Sequence, residues 1–209
     1  MKKKEKALKV IIESAKSFQE NLANKNILFI IQKDKNYYEF VETIFIPSNF
    51  LHLTGIKIID KNMLGAKDFY ERAIHNKLSV NDFEFKNKTT HLKLEILPQI
   101  IKIDKTAKIM GNYENHKMFL RTEQMIGNIH QCMGFIKNTK YYIPNTILKE
   151  DIRRLISKSN KIVMILKKSI EEERYSDITC LNSVCDELVK MIKTEEIIDN
   201  QILDRLDTF

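Results

Sequence analysis

Apolar positions open the chain with one period and continue with another. Leu8, Ile11, Ile12, Ala15, Phe18 and Leu22 recur at helical spacing, which predicts an amphipathic helix over residues 3–23. Two runs follow, "NILFIIQ" and "YYEFVETIFI", rich in β-branched and aromatic residues. The short polar link "KDKN" between them predicts a hairpin. Next comes "SNFLHLTGIK", just past Pro47, with His52, Thr54 and Gly55 at the end of an apolar segment. This is either a tight turn closing a packed element or the edge of an active site. Gly55 is the residue to supply a positive φ or a close backbone approach.

"LGAKDFYERAIHNK" reads as a helix with Ala66, Phe69, Tyr70, Ala73 and Ile74 on one face, and "SVNDFEF" as a short turn capped by Ser79. A further helix is expected near Thr89–Lys102, in spite of Pro98. From Lys108 the pattern changes to short β-like runs: "AKIMGNY", "IGNIHQCMGFIK", "KYYIPN", "NKIVMILKK" and "RYSDITCL". "NTILKEDIRRLIS" interrupts them as a helix, capped by Asn145 or Thr146, with Glu150 and Asp151 in its first turn. Ser183–Leu206 reads as one closing helix striped by Val184, Leu188, Met191, Ile192, Ile198, Ile202 and Leu206. The order implies one α+β chain: an N-terminal helix over 1–25, a mixed domain over 26–180 and a C-terminal helix over 181–209. That last helix either packs on the domain or serves a partner, a dimer among the options.

Composition narrows the picture. The 209 residues are 43% hydrophobic and 30% charged, which suits a soluble domain with a real core. Lys and Arg number 35 against 28 acidic residues, a formal charge of +7 that suits an anionic partner without naming one. Cys132, Cys180 and Cys185 are odd in number and match no metal spacing, so a reducing cytoplasm is expected, with Cys132 in the core. The basic N-terminus is broken by Glu13, Lys16 and Gln19 and reads as a helix, not an export signal. No apolar run approaches the roughly 18 residues of a membrane span.

The chain carries no phosphate loop, dinucleotide fingerprint, HExxH, nucleophile elbow or DxD cluster. Metal-independent chemistry or plain binding remains, with no cofactor and no metal expected. Metal-free RNA cleavage needs little from a protein, because the 2′-hydroxyl is the nucleophile. A histidine, a few Arg or Lys and a hydroxyl suffice. His52 is the first candidate for proton transfer, with His116 and His130 as alternatives. Thr54 is equally a cap or turn residue. Arg121 offers a fork for phosphate, or an ion pair with Glu123. Tyr141 or Tyr142 can stack a base, and Thr146 at the start of the expected helix can hold a phosphate. Lys149 and Arg153, four apart, would share a face of that helix, either on substrate or paired with Glu150 and Asp151. Lys167 and Lys168 end a β-like run and either approach the same site or mark an edge.

"FLHLTGIK", "AKDFYERAI…KLSVNDFEF", "TTHLKLEILPQI" and "IGNIHQCMGFIK…YYIPNTILKEDIR" occur in this order and at similar spacing in a known family. Over residues 26–179 the chain resembles the fourth group of phage-associated barnase–EndoU–colicin–RelE-like nucleases. The resemblance implies an α+β fold with a four- or five-stranded antiparallel sheet carrying the site, and a metal-independent RNase of a phage or mobile element. It carries over His52, Thr54 and Gly55 from the first block. From the last it carries over Pro144, Thr146, Lys149, Asp151 and Arg153. One departure is Thr122-Glu123-Gln124, where the family is expected to read Thr-Asp-Lys; Lys117 or Arg121 would stand in for that lysine. The expectation is therefore a toxin-like RNase with His52 as acid or base, Thr54, Arg121, Lys149 and Arg153 in the catalytic site, and Tyr142, Thr146 and Lys167 on the RNA. A second reading is a catalytically inactive accessory protein that inhibits a host defence complex, anti-CRISPR-like, by protein or nucleoprotein binding. A third is a non-cleaving RNA or DNA binder.

Overall fold

The computed structural model describes residues 3–114 and 120–206. Helix α1 (Lys3–Asn21) leads into the hairpin β1 (Lys25–Asp34) and β2 (Tyr37–Phe45), as the change of period predicts. Then come α2 (Asn49–Thr54), β3 (Ile56–Ile58), α3 (Ala66–Ile74), β4 (Phe83–Phe85), α4 (Thr90–Ile100) and α5 (Ile103–Thr106). The second half holds β5 (Ile109–Asn112), β6 (Gln124–Gly127), β7 (Cys132–Lys137), β8 (Tyr142–Leu148), β9 (Asn160–Ser169) and β10 (Asp177–Leu181). It closes on α6 (Asp186–Lys193) and α7 (Asn200–Leu206).

The chain is α+β, but the expected four- or five-stranded antiparallel sheet is overturned. Among the described residues eight strands share one sheet, in the order β1-β2-β8-β7-β6-β5-β9-β10, and β1 also pairs with β9. The seven strands from β1 round to β9 thus close a barrel, with β10 attached to β9. Strand length is the reason. Both β1 and β9 run ten residues. β9 gives one edge to β1 and divides the other, Asn160 and Lys161 to β5, Met164–Lys167 to β10. Closure removes unpaired edges that an open sheet would leave. The seam is thin: β2 meets β8 through a single parallel pair, Thr43 with Tyr142.

Two faces of β1 serve two cores. Ile27, Phe29 and Ile31 join the core made with α1 to α5, while Leu28 and Ile30 join a second core under α6 and α7. A strand covered on both sides reads as a continuous apolar run, which is what "NILFIIQ" is. Two expected helices are corrected. "NTILKEDIRRLIS" is mostly strand: Thr146, Ile147 and Leu148 pair with Gly134, Met133 and Cys132, and a single 3₁₀ turn, Ile152–Arg154, follows. The cross-strand ladder outweighs the capping and charge pattern that favours a helix. Ser183–Leu206 is two helices. Ile198 pairs with Tyr175, whose N–H donates to the Ile197 carbonyl at 2.8 Å, and that bridge holds the intervening backbone out of helix. The striping residues Leu188, Ile192, Ile198, Ile202 and Leu206 are buried on the barrel.

An aromatic cluster ties the helices to the barrel. The Phe50 ring lies 5.4 Å from Phe18, 5.7 Å from Tyr70 and 6.4 Å from Phe69, joining α2 to α1 and α3. Phe18 also reaches Phe45, which meets Phe135 on β7. All are fully buried or nearly so. Phe50→Ala is expected to cost about 3–5 kcal/mol in guanidinium unfolding. Leu64→Ser, at a side chain 93% exposed, is expected to shift it by less than about 0.5 kcal/mol.

Candidate functional site

Three residues past β2 the chain enters α2, which lies against β8. This short helix, β3, α4 and β8 frame a cleft of 460 Å³. Leu51 and His52 of α2 form one wall, with Gly55 to Ile58 continuing it. Lys86, Asn87 and Lys93 form a second wall, and Leu120, Arg121, Asn145 and Thr146 a third.

The "LTG" of "SNFLHLTGIK" is architecture. Thr54 is fully buried, and its Oγ1 donates to the Leu51 carbonyl at 2.7 Å while accepting from the Ile56 N–H at 3.3 Å. Gly55 ends α2 with φ 70°, the left-handed cap that glycine adopts without penalty. Its carbonyl accepts from Thr90 Oγ1 at 2.7 Å. A Cβ at Gly55 would come within 2.8 Å of the Lys93 Cδ. The missing side chain is what lets the Lys93 stem pass into the cleft.

On the opposite wall the β7–β8 ladder slips: Thr146 faces Gly134 and Pro144 faces Phe135, leaving Asn145 as the extra residue of a bulge. Bulges turn side chains out of the regular alternation. Asn145 uses its turn to hold the neighbouring segment, accepting from Thr122 Oγ1 at 2.9 Å and donating from Nδ2 to the Arg121 carbonyl. Gly134 makes room for this, since a Cβ there would meet Thr122 Oγ1 at 2.5 Å. Thr146 Oγ1 accepts from Lys93 Nζ at 2.8 Å.

The electrostatics are one-sided. His52, Lys57, Lys86, Lys93 and Arg121 line the cleft, and none of its described lining residues is a carboxylate. Among the described residues Lys57 alone of these has an ion pair, to Glu84 at 3.1 Å. Burial, then Lys86, brings the Lys93 ammonium down to about 8. Partial burial, then Lys86 and Lys93, lowers the His52 imidazole below its ordinary value, although the ring keeps an exposed edge. Crowded like charges without counter-charges are the signature of an anion site. Among the described residues no group of three His, Cys, Asp or Glu side chains is placed to hold a metal ion.

The cleft unites His52, Arg121 and Thr146. Arg121 makes no ion pair with Glu123, whose carboxylate accepts the Lys137 N–H at 3.2 Å instead. The other expected site residues lie elsewhere. Thr146 sits in a strand, not at a helix start, so it has no helix N-terminus to lend to a phosphate. Lys149 and Arg153 share no helix face: Lys149 pairs with Glu95, and Arg153 with Asp151 at 2.6 Å, which holds that carboxylate down to about 2. Lys167 is committed to a buried pair with Asp104 at 2.8 Å, joining α5 to β9. Tyr142 stands at the seam under the Lys137 ammonium, 5.9 Å from its ring centroid. His130 is exposed in the β6–β7 turn, and His116 and Lys117 lie outside the described residues. Gln124 is outside the cleft walls, its amide donating to Asn112 Oδ1 at 2.6 Å.

Lys86, Lys93 and Asn145 carried no site signal in the sequence. Lys93 sits inside an ordinary amphipathic pattern. Only the proline in "YYIPN" marked the ladder's irregularity next to Asn145, because a proline inside a strand implies an edge or a bulge.

Against known proteins, the family model described as phage-Barnase-EndoU-ColicinE5/D-RelE like nuclease4 matches residues 10–182. No curated protein and no solved structure matches the chain. Among the described residues no helix is long and apolar enough to cross a membrane.

Gly55→Ala tests the motif's architecture. It is expected to lose about 1–2 kcal/mol in thermal or chemical unfolding from left-handed backbone strain, with the Lys93 stem displaced in addition. A variant as stable as the parent would contradict this.

Proposed function

We infer that this protein, which belongs to the phage-Barnase-EndoU-ColicinE5/D-RelE like nuclease4 family, cuts RNA at the basic cleft without a metal ion. One observation carries the reading: a cleft without a carboxylate among its described lining residues, in which burial and neighbouring lysines lower both a histidine and a lysine toward neutrality. Groups titrating near working pH are those that move protons well.

In this reading neutral His52 takes the proton of a 2′-hydroxyl. The 2′-oxygen attacks the adjacent phosphorus, and the bond from phosphorus to the 5′-oxygen breaks. The Lys93 ammonium, held by Thr146, gives its proton to that leaving oxygen. Lys86 and Arg121 face the non-bridging oxygens and offset the growing negative charge. The products are a 2′,3′-cyclic phosphate and a 5′-hydroxyl. Thr54 serves by shaping the end of α2, and Asn145 by holding the Arg121 segment.

The test is RNA cleavage in EDTA, with detection of cyclic-phosphate ends. Activity should rise with pH through the His52 pKa, below 6.5, and fall as Lys93 deprotonates near 8. His52→Ala should lower the rate by about 10²-fold or more. Lys93→Arg should lower the rate at every pH and remove the alkaline limb near 8, because a guanidinium keeps its proton and cannot give it to the leaving oxygen. Cleavage that requires an added divalent ion and survives His52→Ala would refute the reading.

A further inference from the structure

We propose that the groove beside the cleft is a second nucleotide subsite, which seats a base of single-stranded RNA flanking the cut phosphate. It rests on the reading of the cleft as an RNA-cutting site. The groove encloses 650 Å³ between α1 and α4. Its floor is apolar, from Ala7, Val10 and Leu94, with the Phe85 ring at the edge and 37% exposed. Its rim is basic, from Lys3, Lys6 and Lys88.

Three observations select RNA as the occupant. Asn87 is a wall of both groove and cleft, so a strand leaving one enters the other. Thr90, which lines the groove, donates its hydroxyl proton to the Gly55 carbonyl at the cleft's edge. Among the described lining residues the one carboxylate is Glu95, which Lys149 already holds. An apolar floor with an aromatic edge under a basic rim fits a flat base on a charged backbone. The His91 ring adds a second flat surface, its Nδ1 fixed 2.7 Å from the Lys88 carbonyl.

The probe is fluorescently labelled oligoadenylate, either a dinucleotide or a hexanucleotide, binding to His52→Ala protein and read by anisotropy. The dinucleotide covers the cleft alone. Phe85→Ala should weaken hexanucleotide binding by about tenfold, and Lys6→Glu with Lys88→Glu by at least as much. Dinucleotide affinity should change by less than about twofold. Lys6 and Lys88 are exposed, so their reversal leaves the fold in place, as a thermal melt will show. Equal losses for both lengths, or loss for neither, would overturn the subsite. So would groove occupancy by an acidic amphipathic peptide that oligoadenylate fails to displace. A wild type that cuts no RNA, yet shows the length-dependent loss, sinks the cleavage reading and keeps the groove. A wild type that cuts RNA, with variants at Phe85 or at Lys6 and Lys88 that cut and bind as well, keeps the cleavage reading and sinks the groove.

Discussion

Everything in the cleft depends on holding a six-residue helix that cannot hold itself. Helices this short are unstable alone, because nucleation costs more than so few hydrogen bonds return. α2 is fixed at both ends instead. Phe50 anchors its first turn in the aromatic cluster, and the Thr54–Gly55 cap ties its last turn to Thr90 of α4. With both ends set, the exposed His52 between them faces the cleft without freedom to drift. The same cap places α4, and α4 carries Lys93. One packing arrangement thus positions two basic groups on different elements.

The second constraint is electrostatic. Burial and the Lys86 charge lower the proton affinity of Lys93, burial with Lys86 and Lys93 lowers that of His52, and no acidic side chain among the described residues of the cleft wall relieves them. Such an arrangement costs stability and is kept where an anion is to arrive. Acidic side chains outside the cleft hold other cations: Glu95 holds Lys149, Asp151 holds Arg153 and Asp104 holds Lys167.

Elements set by local pattern were legible in the sequence. The α1 periodicity, the β1–β2 hairpin and the α4 helix across Pro98 all follow from spacing and short links. What was not legible was decided by distant partners. "NTIL" looks like a capped helix until Gly134 and Met133 offer it a ladder, and the barrel itself depends on β9 meeting β1, β5 and β10. Runs identify strands without saying which strands meet. The site followed the same rule. His52 stands out by residue type and Arg121 by its neighbourhood. Lys93 is one lysine among many until burial and Lys86 change its chemistry.

The most direct measurement is an NMR titration of His52 and Lys93, first in the free protein and then with a bound oligonucleotide made uncleavable by a 2′-deoxy group. The account predicts a free His52 below 6.5 and a free Lys93 near 8, both moving upward when phosphate arrives. Ordinary values in the free protein, unmoved by the oligonucleotide, would contradict it.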